Sequence, residues 1–375
     1  MKTLASKHRL AGVTATLAAG ALVASGASAS TGAGGHFLAR FHTITHVASM
    51  VPTNGPAKGD QNPYGVAVVR RSVGKLVKGD VLVSNFNNAK NQQGTGKSIM
   101  EVSPSGHAQV FAIVPRPTNA KAVGLTTALV ELPRGFVVVG SLPAPGGMSA
   151  NMTAGALTIL NSNGKVVNTI KGGPINGPWD MTAVVRGNKA TLFVTNVLNG
   201  TVKAAGKIVH RGTVVRIGLK LSKTNATMTS ERVIATGFGE HTDPAALVVG
   251  PTGVGLGPNG TLYVADSVAN RIAAIPSAMT RMTKLGHGGV TVSTGNLLID
   301  PLGLAIAPNG HIISQNGGNG NSVETTPGGQ QFAKTLVSNG AGDLFGLAIA
   351  PKASGIYFVN DIGTGPAANS LELLH

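Results

Sequence analysis

The sequence predicts an all-β fold, a six-bladed β-propeller built from four-stranded antiparallel blades, and three observations predict it. Glycine makes up 53 of the 375 residues and charged residues only 12%, a composition typical of many short strands and turns. Strand–turn–strand units recur along the chain, with inner strands at Gly65, Leu125, Asp180, Gly253, Gly303 and Gly346. A strand left over near the N-terminus matches a strand missing from the last unit.

The clearest unit spans residues 250–275. Branched side chains such as Val254 and Val264 favour strands. The turn Pro258-Asn259-Gly260 joins the two strands, because proline presets φ while Asn and Gly tolerate positive φ. The unit continues as Leu262-Tyr263-Val264-Ala265-Asp266 and Asn270-Arg271-Ile272. It resembles the NHL repeat, the blade unit of a β-propeller family whose relatives include calcium-dependent lactonases, lyases and binding modules.

The same plan predicts the other blades in chain order. Blade one takes residues 63–69, 80–85, 98–102 and 108–112; blade two takes 123–132, 136–141, 156–160 and 166–170; blade three opens at 177–180 and continues through 192–196, 213–217 and 232–235. Blade four is residues 250–275 with 290–292, blade five starts 300–306 and 312–316, and blade six has 343–349, 356–361 and 370–374. Because blade six lacks a fourth strand, we expect residues 41–47 to complete it, which removes free sheet edges.

The first residues resemble an export leader. Lys2, Lys7 and Arg9 precede an apolar stretch at residues 10–23, and Ala27-Ser28-Ala29 suits a cleavage site. We therefore expect a signal peptide at 1–29, a flexible segment at 30–40 and one propeller domain at 41–375. The alternative is an uncleaved membrane anchor. The expected protein is a monomer without a transmembrane segment, exported to the periplasm or secreted.

The formal net charge is +16. Such a basic surplus favours anionic partners, for example an envelope polymer, and its alternative explanation is solubility. The chain has no cysteine, which excludes a cysteine nucleophile and a cysteine-ligated zinc.

Propeller topology sorts polar residues onto two faces, because strand-one starts and strand-two ends share one face and the hairpins share the other. The sequence therefore predicts an axial mouth lined by carboxylates and amides, and a basic opposite face. The ligand-binding candidates at the mouth are Asn62, Asn85, Asn87, Trp179, Asp180, Asn196, Asp266, Asn316, Asn360 and Asp361. The carboxylate and amide oxygens of the Asp and Asn residues suit Ca²⁺, which takes about 6 to 8 oxygen ligands. The alternatives are turn capping by Asp and Asn and burial of Trp179 between blades.

Two functions from different classes fit this sequence. The first is an exported binding module that holds a small polar ligand or a protein at the mouth, with no catalytic residues assigned. The second is a calcium-dependent lactonase or esterase that uses the same pocket. Gluconolactonase-like propellers carry a metal-binding Glu near the start of the first inner strand, and this chain has Gln61-Asn62-Pro63-Tyr64 there, without a carboxylate.

Overall fold

The computed structural model describes residues 35–116, 121–362 and 368–375. Six antiparallel sheets form the blades of a propeller, which confirms the expected fold class. The predicted signal peptide lies outside the described residues. Within the three described ranges, no helix is long and apolar enough to cross a membrane.

The strands follow the chain from the inside of each blade to its outside. Blade one contains β2 (Gln61–Val68), β3 (Val81–Asn87), β4 (Ser98–Val102) and β5 (Ala108–Ile113); blade two contains β6 (Leu125–Leu132), β7 (Phe136–Ser141), β8 (Leu157–Leu160) and β9 (Val166–Ile170). Blade three contains β10 (Pro178–Arg186), β11 (Lys189–Asn196), β12 (Val209–Leu221), β13 (Ala226–Asp243) and β14 (Leu247–Val249). Blade four contains β15 (Pro251–Leu256), β16 (Leu262–Asp266), β17 (Arg271–Ile275) and β18 (Val290–Thr294); blade five contains β19 (Pro301–Ile306), β20 (Ile312–Asn316), β21 (Asn321–Thr325) and β22 (Gln331–Thr335).

The N-terminal strand closes the ring, as expected. Blade six consists of β23 (Leu344–Ile349), β24 (Ile356–Asn360), β25 (Ser370–Leu374) and β1 (Ile44–Ser49). β1 pairs with β25, from Ile44 opposite Leu374 to Ser49 opposite Ser370. The closing strand starts three residues later than residues 41–47 suggested, because Phe41 packs into the core instead. Inner strands contact one another in the closed order β2, β6, β10, β15, β19, β23 and β2.

Blade three differs from its expected boundaries. The outer strands were expected at residues 213–217 and 232–235, but β12 and β13 form a hairpin that extends beyond both ends of these ranges. The hairpin turns where Ser222 Oγ donates to the Asn225 carbonyl oxygen at 2.9 Å. Alternation of exposed Lys220 with buried Leu219 and Leu221 is the strand signal there.

The helical elements of the described residues are short. They are α1 (Thr201–Ala204) and 3-10 turns at Leu38–Arg40, Pro133–Gly135, Pro145–Gly147, Ser149–Asn151 and Pro351–Ala353.

Neighbouring inner strands approach so closely that one of them needs glycine at the contact. A Cβ at Gly303 would lie 2.2 Å from the carbonyl oxygen of Phe345 in the next blade. Hydroxyl groups also join the blades, because Thr126 Oγ1 of blade two donates to the Pro178 carbonyl oxygen of blade three at 2.8 Å. The ring is thus held by backbone contact and inter-blade hydrogen bonds as well as by apolar packing.

Two residues of the segment expected at 30–40 are buried against the propeller. Phe37 and Leu38 are buried in a cluster that also contains Ile313 of blade five and Phe358 of blade six. Their backbone N–H groups both donate to Glu324 at 2.8 Å. The sequence did not reveal this anchor, because Glu324 lies far away in the chain.

Candidate functional site

The propeller axis has two different ends. We call the end where the inner strands start the aspartate face, and the end with the hairpins between strands one and two the hairpin face. Buried aromatic side chains pack together at the aspartate face, whereas inner-strand residues nearer the hairpin face line a cavity of about 620 Å³.

Four aromatic side chains pack into one layer at the aspartate face. Tyr64 stacks on Phe345 with ring centroids 4.1 Å apart and on Phe86 at 4.4 Å. Trp179 meets Tyr64 edge to face at 5.7 Å. Tyr64 and Trp179 belong to blades one and three, which blade two separates, so their contact joins two non-adjacent blades. We call these four residues the aromatic layer.

A cluster of carboxyl groups surrounds Tyr64 at the aspartate face. Burial, together with the negative charge of Asp343, raises the pKa of Asp361 to about 7. Burial also raises the pKa of Asp300 and that of Asp343. Burial and the nearby charges of Asp361 and Asp300 raise the pKa of the Tyr64 hydroxyl. At neutral pH, the Asp361 carboxyl group is therefore partly protonated and partly ionised, while the Tyr64 hydroxyl stays protonated. We call these four residues the carboxylate cluster.

Asn62 and Asp300 occupy equivalent places, each directly before a proline at or near the start of an inner strand. Both have left-handed backbone conformations, with φ of 59° and 50°. The Oδ1 atom of each is buried and has no hydrogen-bond partner. Because buried polar atoms are nearly always paired, these two oxygens are candidates for contact with a ligand.

Five of the predicted ligand-binding residues end the second strand of a blade and are buried there: Asn85, Asn196, Asp266, Asn316 and Asn360. Their side chains bond to nearby connecting segments or strands. Asn85 Nδ2 donates to Met50 O and Asn316 Nδ2 donates to Leu297 O, both at 2.8 Å. Asn196 Oδ1 accepts from Asn176 N at 3.3 Å, and Asn360 Oδ1 accepts from Ile362 N at 2.9 Å. Asp266 Oδ2 accepts from Arg271 Nε at 2.7 Å. Each of these side chains thus has at least one protein partner, although Asn85 Oδ1 and Asp266 Oδ1 are buried without one among the described residues.

Three further candidates lie in different surroundings. Asn87 Nδ2 donates to Asn91 Oδ1 at 2.6 Å. Trp179 is 4% exposed and belongs to the aromatic layer. Asp180 lies at the inner end of the cavity, where its carboxylate accepts from Met181 N at 2.8 Å. Burial raises the pKa of Asp180 well above its ordinary value.

Inner strands of all six blades line the cavity. Its walls are mainly apolar and include Val68, Leu129, Met181, Leu256, Ile306 and Ile349. Asp180 and Thr127 are the polar groups at its inner end, and Arg70, Lys78 and Glu131 lie at its rim. An apolar cavity with a few converging polar groups is typical of small-molecule sites.

The cations that the sequence places at the hairpin face are exposed. They are Arg70, Arg71, Lys75, Lys78, Arg134, Arg186, Lys189, Lys220, Lys223 and Lys352. The carboxylate cluster and these cations therefore lie at opposite ends of the axis.

The carboxylate cluster is a poor fit for the Ca²⁺ ion that the propeller resemblance implies. No carboxylate occurs in Gln61-Asn62-Pro63-Tyr64, where gluconolactonase-like propellers carry their Glu. Among the described side chains, no three carboxylates or histidines at this face bring their ligand atoms within 4.8 Å of one another. The unpartnered oxygens of Asn62 and Asp300, like those of Asn85, Asn87 and Asp266, are the right kind of donor, but among the described residues no three carboxylates converge there.

Sequence reasoning missed Tyr64 and Phe345 as site residues. Both directly precede the inner-strand glycine of their blades, Gly65 and Gly346, and Trp179 precedes the equivalent Asp180. Aromatic residues at this repeat position in three blades were the signal that could have predicted the aromatic layer.

Comparison with known proteins identifies the fold. No protein-family model matches the chain, and no curated protein sequence matches it. Solved structures that it resembles include a gluconolactonase from Xanthomonas campestris, at 13% identity over 88% of each chain with a TM-score of 0.53. A second is the PQQ-bound aldose sugar dehydrogenase of Streptomyces coelicolor, at 13% identity over 88% of this chain and 98% of that chain, with a TM-score of 0.56. A third is the calcium-binding protein regucalcin of Agrobacterium tumefaciens, at 14% identity over 88% of this chain and 93% of that chain, with a TM-score of 0.50. In fold, the chain is therefore a six-bladed β-propeller.

Proposed function

We propose that this protein hydrolyses small esters of the lactone type at the aspartate face. The observation that carries the proposal is Asp361, a partly buried carboxyl group whose pKa of about 7 suits a general acid–base catalyst. The fold of the chain resembles that of a gluconolactonase, which supports an enzyme over a pure binding module.

The chain's own residues would carry the reaction. Ionised Asp361 takes a proton from water as the water oxygen bonds to the lactone carbonyl carbon. The Tyr64 hydroxyl donates a hydrogen bond to the carbonyl oxygen as it gains negative charge. The ring C–O bond then breaks, and protonated Asp361 returns the proton to the leaving oxygen, which yields the hydroxy acid. The aromatic layer supplies an apolar floor beneath the substrate.

The test is hydrolysis of a panel of γ- and δ-lactones, followed by proton release with a pH indicator. We expect Asp361→Asn to lower kcat/KM by about 10²–10⁴, and kcat/KM of the wild type to rise with pH around a midpoint near 7. Asp80→Asn is the matched control, because burial also raises the pKa of Asp80 but this residue precedes β3 at the hairpin face. Equal rates for Asp361→Asn and the wild type would refute the proposal.

Calcium dependence is tested in the same assay. The wild type is treated with EDTA, and Ca²⁺ is then added back. Because the described carboxylates do not form a calcium cage, we expect the rate to survive EDTA. Loss of activity with EDTA and its recovery with Ca²⁺ would instead support the calcium-dependent form of the lactonase.

A binding module is the second candidate, and the cavity favours it. Its apolar walls and the cations Arg70 and Lys78 at its rim suit a small molecule with an apolar body and an anionic end. We expect the anionic probe anilinonaphthalene sulfonate to bind the wild type, and Ile306→Trp, which narrows the cavity, to weaken binding. Unchanged binding by Ile306→Trp would exclude this site.

We also propose the finer family, location and partner. The NHL-like assignment is supported by the Asp266–Arg271 ion pair, Oδ2 to Nε at 2.7 Å, which joins two strands of the motif. Export is supported by the leader-like residues 1–29. An anionic envelope polymer is the proposed partner of the hairpin face. Retention of the protein on an immobilised anionic polymer should therefore fall as the salt concentration rises.

A further inference from the structure

Blade five carries a second cluster of functional side chains, distant from the aspartate face. His36 precedes the 3-10 turn Leu38–Arg40, His311 follows the turn between β19 and β20, and Glu324 lies in β21. A nitrogen of each histidine and an oxygen of Glu324 all lie within 4.8 Å of one another. Within the described ranges, this is the one group of three or more histidines and carboxylates with that property. We call it the His–His–Glu cluster.

The distances suit a metal ion shared by the three residues. His311 Nδ1 lies 2.6 Å from Glu324 Oε1, and His36 Nδ1 lies 3.9 Å from the same oxygen. Ligands of a tetrahedral Zn²⁺ with bonds of about 2.0–2.1 Å stand about 3.4 Å apart. The observed separations lie on both sides of this value, so small rotations of the two imidazole rings would reach it.

Hydrogen bonds from the protein hold the Glu324 carboxylate in a fixed position. Its side chain is fully buried, and the N–H groups of Phe37 and Leu38 each donate to it at 2.8 Å. Asn309 Nδ2 donates to Oε1 at 3.2 Å. His311 Nδ1 also lies 2.6 Å from Oε1. Such surrounding contacts are typical of metal ligands, which need an orienting partner.

His36 has a nitrogen that the protein leaves without a partner. Its Nδ1 is buried and makes no hydrogen bond, although its ring is held by stacking on Phe332 with centroids 4.7 Å apart. A buried nitrogen without a partner is unusual. A metal ion between His36 and Glu324 would supply that partner.

We propose that His36, His311 and Glu324 bind one Zn²⁺ ion, with water as the fourth ligand. Two imidazoles and one carboxylate favour zinc over Ca²⁺ and Mg²⁺, which prefer oxygen ligands. The ion would join the N-terminal segment to blade five. Phe37 and Leu38, which follow His36, are buried beside blades five and six, so the ion would fasten the chain just before its closing strand β1.

The experiment uses the full, untagged chain after removal of metal with a chelator. Zn²⁺ alone is the probe, measured by calorimetry and by metal analysis after dialysis, with Ca²⁺ in a parallel sample. His36→Ala and His311→Gln are the variants. His46→Ala is the matched control, because His46 is exposed in the nearby β1 and lies outside the His–His–Glu cluster.

We expect one equivalent of Zn²⁺ on the wild type and on His46→Ala, and no response to Ca²⁺. His36→Ala should weaken Zn²⁺ binding by at least about tenfold. Zn²⁺ at about a hundred times its Kd should raise the wild-type Tm by about 3 to 6 °C and slow tryptic cleavage after Arg40, and neither change should occur in His36→Ala.

The proposal is wrong if the wild type binds less than one equivalent of Zn²⁺, or if His36→Ala binds it as tightly as the wild type does. If His311→Gln does not fold, His36→Ala still decides, because the His36 side chain is 34% exposed and its loss leaves Phe37 and Leu38 in place. Binding at this cluster is independent of lactone hydrolysis, so failure of one proposal leaves the other intact.

Discussion

Replacing Asp361 with Asn should stabilise the protein at alkaline pH. Asp361 is partly buried near Asp343, and its own backbone N–H donates to the Asp343 carbonyl oxygen at 3.0 Å. Among the described residues, none donates a hydrogen bond to the Asp361 carboxylate, so Asn, which has nearly the same shape, loses no contact to them. The variant removes a charge that the fold disfavours.

The sign follows from proton binding. The folded-state pKa of about 7 exceeds the ordinary value of 3.8, so between these values the folded state binds more protons than the unfolded state. Stability therefore falls as pH rises from about 4 to 7 and then levels off. One pKa unit corresponds to about 1.4 kcal/mol, which gives an upper limit of ~4 kcal/mol for the loss, reduced by the solvent contact that Asp361 retains.

The assay is urea unfolding of the wild type and Asp361→Asn at pH 4 and pH 8. The two should have similar free energies of unfolding at pH 4, and the variant should be more stable at pH 8 by up to ~4 kcal/mol. The same variant should lose lactone hydrolysis, because catalytic groups are often held in environments that cost stability. Parallel pH dependence of both proteins would refute the reasoning.

Two other substitutions test what holds the blades. Arg271→Met should cost about 3–5 kcal/mol, because it leaves the buried Asp266 carboxylate without its ion-pair partner, 2.7 Å away; a change below 1 kcal/mol in chemical unfolding would contradict this. Gly303→Ala should cost about 1–3 kcal/mol, since its Cβ would lie 2.2 Å from the Phe345 carbonyl oxygen. Gly286→Ala is its control, with no atom within 4 Å of the new Cβ, and equal Tm values for the two would refute the close approach.

Local sequence patterns determine much of this fold. The third strand of blade six was expected at residues 370–374, and β25 spans Ser370–Leu374. The turn around Gly260 has the hydrogen bond from Gly260 N to Gly257 O, 3.0 Å long, that the Pro-Asn-Gly sequence indicates. Closure by β1 was predictable because it follows from counting strands. The long hairpin of blade three was not, because its polar alternation also suits a loop.

The direction of side chains at the aspartate face could not be predicted. Each inner strand has an irregular register near its start, for example between Pro63 and Val66 and between Pro301 and Leu304. An added residue reverses which side chains point to each face of a sheet. Alternation counted from the strand middle therefore fails where Asn62 and Asp300 lie, and placing a candidate residue at the mouth does not say whether it faces the axis.

We expect the aromatic layer to separate two compartments with different chemistry. Tyr64 presents its hydroxyl to the carboxylate cluster, while Asp180, one residue after Trp179, lines the cavity. Asp361 does not line the cavity, so we expect the two candidate functions to be disrupted separately. Ile306→Trp should leave lactone hydrolysis unchanged, and Asp361→Asn should leave probe binding unchanged. If either variant affects both functions, the aromatic layer does not separate the compartments, and the axis must be treated as one site.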